Sequence, residues 1–219
     1  MRDIGKKIHG FIDESDRRCP MTPRPFNLRC MRLRIQTSLL VLFSCCIWAS
    51  SHGSPAALQP GADPSCPYET LGMLEKYEGE ETPGGYYTTA VPYLNEEQRK
   101  NYQVFVQEGL LVDAQGHLVD AHRASMMGSD LISLQAIYVM DACGRIFMTY
   151  HHEVGLFHHS SFLSGGPISA AGEMLVVDGR ILEIDSASGH YRPPPQATEQ
   201  LVHRLRILGA DLSMATLNF

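Results

Sequence analysis

Residues 68–219 predict a single α+β domain, an antiparallel hairpin-rich sheet with a C-terminal packing helix. Three observations carry this prediction. Met174 to Val177 and Ile181 to Ile184 flank Asp178-Gly179, and an Asp-Gly pair between apolar runs is the strongest short-range hairpin signal. Other segments of period two recur upstream with turn residues between them, the pattern of strands rather than helices. Finally, Leu201, Val202, Leu205 and Leu208 repeat on one helical face after Pro193-Pro194-Pro195, and Gly209 stands where a helix ends.

Taken in order, residues 1–30 read as an upstream extension or a cytoplasmic tail, with Met31 or Met21 as the better start. Residues 31–53 read as a signal peptide. Arg29, Arg32 and Arg34 precede the apolar run Leu39 to Ala49, and small residues through Ser50, Ser51, Gly53 and Ala56 follow it. That run is short of the ~20 apolar residues a membrane span needs. Leu42-Phe43-Ser44-Cys45 has the outline of a lipid-attachment site, but Phe43 fits it poorly, so an anchor through Cys45 ranks below simple export to a periplasmic or secreted location. Residues 54–67, rich in Ser, Pro, Gly and Ala, read as a linker. Beyond the leader two cysteines remain, Cys66 and Cys143; they form a disulfide in an oxidising compartment or stay free and buried.

Within the domain, the acidic stretch Glu75 to Gly85 reads as a solvated loop. Asn95 to Val106 opens with an Asn cap and Glu96-Glu97 and reads as a short helix, with strand as the alternative for its Val104-Phe105-Val106 end. Leu110 to Val112 and His117 to Val119 flank Asp113 to Gly116 as a hairpin, and Ala136 to Met140 and Ile146 to Tyr150 flank Asp141 to Arg145 as another. From Ser54 onward 9 Lys and Arg face 20 Asp and Glu. So acidic a domain does not bind nucleic acid by phosphate neutralisation.

The polar residues gather around the last hairpin. Phe157-His158-His159-Ser160-Ser161-Phe162 lies before it and Ser188-Gly189-His190-Tyr191-Arg192 after it, so both segments meet at one rim of the sheet. His159, His190 and Glu173 are the candidate catalytic groups there, with Ser160, Ser161, Tyr191 and Arg192 as candidate ligand-binding groups. No metal is assigned, because adjacent histidines on a strand point to opposite faces and a metal needs three or four convergent ligands. Serine hydrolysis would need His190 and Glu173 or Asp185 to activate Ser160 or Ser161, but no Gly-x-Ser-x-Gly turn is present. The residue types also suit an ADP-ribosyltransferase, although their order does not follow that superfamily's series; NAD would be the cofactor. The plain alternative is a hydrogen-bonded structural corner.

Ala136 to Asp141, HHSSFLSGG, AAGE and SGHYRP together resemble the C-terminal domain of plant IQ-motif calmodulin-binding proteins and a related domain of bacterial secreted toxins or effectors. The resemblance implies an exported toxin- or effector-like domain acting on a small molecule or on a host or target protein. Its alternative is a non-catalytic protein-interaction module. Calmodulin is not an expected partner, because Ile35-Gln36 is followed by Thr37-Ser38-Leu39-Leu40-Val41 rather than by the basic helix an IQ motif requires.

Overall fold

The structure, a computed structural model, describes residues 57–59, 63, 65–126 and 134–219. The 1–30 extension, the 31–53 signal peptide, the Cys45 anchor and the start of the 54–67 linker lie outside the described residues. What is described is an α+β unit with a seven-stranded sheet in the order β2 (Leu110–Val112), β1 (Gln103–Gln107), β4 (Ile146–Thr149), β3 (Ala136–Met140), β5 (Ala170–Val177), β6 (Arg180–Asp185), β7 (Thr216–Asn218).

Asn95 caps α1 (Glu96–Arg99) through a reciprocal box: Gln98 N donates to Asn95 Oδ1 at 2.9 Å and Asn95 N donates to Gln98 Oε1 at 2.9 Å. The chain then extends as β1 (Gln103–Gln107), so Val104 to Val106 are strand. The next hairpin is not the expected one. β2 (Leu110–Val112) folds back on β1 through Glu108-Gly109, whose φ values of 51° and 87° match the twist of a tight hairpin. Across Asp113 to Gly116 only a single bridge forms, Val112 to Leu118. A short helix, α2 (Ala121–Met126), follows.

β3 (Ala136–Met140) and β4 (Ile146–Thr149) form the expected hairpin. β3 is buried along its whole length. Its alternation sorts two cores: Ala136, Tyr138 and Met140 meet Leu201, Val202 and Leu205 of the last helix, while Ile137 and Val139 meet Leu71, Phe147, Phe162, Ile168 and Tyr191. This is why the segment AIYVM lacks the polar alternation of a half-exposed strand.

β5 (Ala170–Val177) and β6 (Arg180–Asp185) turn at Asp178-Gly179, both at positive φ, with a bulge between Leu175 and Val176. β5 begins four residues earlier than its apolar signal because Ala170, Ala171 and Gly172 pair with β3 despite weak strand propensity. β7 (Thr216–Asn218) adds a parallel edge to β6, which nothing in the local pattern announces.

The C-terminal helix behaves as its sequence asks. It is α4 (Pro195–Ile207), with Pro195 at the first helical position, where a missing N–H costs nothing. Its end is a Schellman turn: Ala210 N donates to Leu205 O at 2.9 Å and Gly209 N to Arg206 O at 3.0 Å, with Gly209 at φ 85°. Fully burying each of Leu201, Val202 and Leu205 against the sheet contributes about 1.5–3 kcal/mol. Cys66 is joined to Cys143 in the β3–β4 turn, whose Gly144 O accepts from Arg204 Nε of α4 at 3.0 Å, resolving the two thiol alternatives in favour of a disulfide. Gln59 and Thr70, on either side of Cys66 in the chain, form an antiparallel bridge.

Candidate functional site

The expected rim exists, but its parts are built differently. His159–Phe162 is a helical turn, α3, not a strand, so the strand argument that separated the adjacent histidines does not apply. His158 N donates to Ser161 Oγ at 3.1 Å, which closes the first turn. His158 and His159 both line one cavity of about 340 Å³ with His152, Glu173, Ser188 and His190, walled by Tyr77 and Tyr87. The β5–β6 hairpin brings Glu173 and Asp185 together as expected: Glu173 N donates to Asp185 Oδ1 at 2.8 Å.

Each imidazole is held by a structural partner. His190 Nε2 donates at 2.8 Å to Oε2 of Glu80, a residue with no solvent exposure. Burial pushes the Glu80 carboxyl up, but the hydrogen bond from His190 and the charge beside it hold it below the usual carboxylate range. The His190 ring stacks on Tyr77 with centroids 4.0 Å apart and lies 4.5 Å from that of His158. His158 accepts from Gly155 N at Nε2, 2.8 Å, so its own proton sits on Nδ1. His159 donates from Nε2 to Gly172 O at 2.9 Å. Burial, with the nearby His190 adding to it, pushes both His158 and His159 down to about 4, so each ring is neutral at pH 7.

A pH dependence follows. An unfolded chain protonates these two rings below their ordinary value of ~6.5 while the folded chain keeps them neutral to about 4, so the unfolded state binds more protons across that window. The contribution is fully present above pH ~6.5 and is lost as pH falls towards 4. Glu80, depressed, adds to the loss at the acid end, whereas Glu173, raised by burial and by Asp185, opposes it. Urea midpoints should therefore fall steadily from pH 7 to pH 4, and a midpoint that rose on acidification would contradict these assignments.

The remaining expected ligand groups are not in the cavity wall. Ser160 and Ser161 are completely buried, and the Ser161 hydroxyl is used by the His158 backbone. Tyr191 is equally buried, its hydroxyl donating to Gly166 O at 2.8 Å. Arg192 is exposed and lies outside the cavity lining, at the φ of 47° that ends the SGHYR turn. His151 faces a different groove, so the four clustered histidines split. Four participants were not legible as such. Glu80 sits in the acidic run taken for a solvated loop and is instead the most deeply buried carboxylate among the described residues. Tyr77 and Tyr87 flank it with no local signal of burial. Ser188 lay inside the SGHYR motif but read only as a turn residue.

Residues 98–198 match the family described as the IQ motif-containing protein middle domain. The chain is similar to IQ domain-containing protein IQM3 of Arabidopsis thaliana, 33% identical over 116 residues that make up 53% of this chain and 24% of that protein. It is also similar to IQM1 of the same plant, 31% identical over 124 residues, 56% of this chain and 23% of that one. IQM5 is 30% identical over 129 residues, 58% and 24%. The chain thus spans about a quarter of the length of the curated relatives it matches. No solved structure matches it. These matches support the plant IQ-motif resemblance and place it on a middle domain rather than a C-terminal one. They overturn the expectation of a signal-peptide-bearing secreted toxin, effector or ADP-ribosyltransferase, because the similar proteins are IQ domain-containing plant proteins. The NAD expectation rested on that reading alone.

Proposed function

We propose that this domain is a non-catalytic protein-interaction module, with the His/Tyr/Glu cavity as its binding face. The observation that carries the reading is how the polar groups of the cavity are spent. His190 is tied to Glu80, His159 to Gly172 O and His158 to Gly155 N, and no hydroxyl is hydrogen-bonded to an imidazole ring among the described residues. A nucleophilic mechanism needs a hydroxyl within hydrogen-bond reach of its base. Ser188, on the cavity wall, is not bonded to His190. Similarity to the middle domain of IQ motif-containing proteins points to the same class. The partner is a protein other than calmodulin, since the matched segment begins at residue 98 and the Ile35-Gln36 pair lies well before it without basic residues after it.

A photo-crosslinking residue at Ala187, on the cavity wall, tests this. It should capture a defined protein, which then binds the purified chain in a calorimetric titration, and the chain should show no turnover of ester, peptide or NAD substrates. Turnover that disappears in Glu173→Gln, with melting unchanged, would overturn the reading.

A further inference from the structure

The walls of the cavity are short of positive charge. Glu173 is partly buried, and burial together with the neighbouring Asp185 and Glu183 carboxylates pushes its carboxyl up, with only His152 working the other way. No Lys or Arg lines the cavity, and Glu173 has no ion pair among the described residues. The Ser188 residue is 7% exposed, and its Oγ is buried without a hydrogen-bond partner. Ser188 is one of the residues lining the cavity, so a polar ligand there would supply the partner its hydroxyl lacks.

We propose, building on the interaction-module reading, that the cavity receives a guanidinium or ammonium group carried on a segment of the partner protein, with Glu173 as its charge partner and Ser188 Oγ as a hydrogen-bond acceptor. The other ligand chemistries fit less well. An anion would meet Glu173 with Asp185 and Glu183 close behind it. An apolar side chain would strip water from Glu173 and Ser188 and return nothing. A metal ion lacks its ligands: no group of three or more His, Cys, Asp or Glu able to hold one occurs among the described residues. The neutral His158 and His159 rings do not repel a cation, and His190 is turned to the Glu80 carboxylate.

The full chain, used as bait for a random 12-residue peptide library, tests the assignment. Enriched peptides should share Arg or Lys at one position. Replacing that residue by citrulline or acetyl-lysine should abolish binding, and Glu173→Gln should weaken it about tenfold with an unchanged melting temperature. Glu199→Gln, on the exposed face of α4, should leave it intact. Enrichment of acidic or wholly apolar peptides would overturn the cation assignment and leave the module reading standing. If no peptide is enriched, titration with methylguanidinium decides: movement of the His158 and His190 ring signals keeps the cation site while removing the module reading, and unmoved signals remove both.

Discussion

Gly172→Ala should be among the most damaging single substitutions in this domain. A Cβ at Gly172 would stand 2.8 Å from Tyr138 Oη and closer still to the Asp185 carbonyl oxygen. Neither can yield. Tyr138 is completely buried and its hydroxyl donates to that same carbonyl at 2.7 Å, while Asp185 is the last residue of β6. Gly172 therefore marks the close approach that a glycine within a strand often signals. Its carbonyl also holds His159, so the strain reaches the cavity directly. We expect a loss of about 3 kcal/mol, at the upper end for overpacking, or a melting temperature lower by ~6–12 °C for a domain of this size. The His159 ring signal should shift with it. A variant that melts with the wild type would show that β5 and β6 are not this close.

Removing the buried pair from one side should cost as much. His190→Ala leaves the Glu80 carboxylate enclosed with only the long 3.4 Å hydrogen bond from Tyr93 Oη and the nearby Ser160 hydroxyl, and breaking a buried ion pair typically costs about 3–5 kcal/mol. Glu80→Gln removes the charge but keeps an oxygen to accept from His190 Nε2, so it should cost less. Replacing both residues by apolar ones of similar volume should recover most of the loss, because no uncompensated charge then remains. Chemical denaturation of the two single variants and the double variant gives this order. If His190→Ala proves as mild as an exposed substitution, Glu80 is not held in the way described. The same experiment separates His190 from Glu173: the first is a structural member of the corner, and the second remains free to meet a ligand.

The α+β class and most of the sheet were legible in the sequence because they depend on short-range signals. Asp178-Gly179 adopts the positive φ values that two apolar runs around an Asp-Gly pair require, and the face of Leu201, Val202 and Leu205 with the Gly209 stop specifies α4. The meeting of the HHSSF and SGHYR segments also followed from the hairpin between them. Local chemistry misled where two signals competed. Asp113 to Gly116 does turn, but Glu108-Gly109 turns first and takes the β2 ladder. His158 and His159 look like strand residues, yet a helical turn begins at His159, closed by the Ser161 hydroxyl accepting from His158 N.

What the sequence by itself determined was the hairpin framework, the closing helix and the neighbourhood of the polar cluster, since each of these arises from residues within a few positions of one another. Only the tertiary structure decided which polar groups are spent and which are free. Glu80 is indistinguishable in sequence from Glu78 and Glu81 around it, and its burial depends on a histidine 110 residues away. Ser160, Ser161 and Tyr191 carry the right groups for binding but turn them inward, while Ser188 is left unpaired at the cavity wall. Burial and hydrogen-bond satisfaction are properties of the packed surroundings, set by contacts distant in the chain, so a window of neighbouring residues does not contain them.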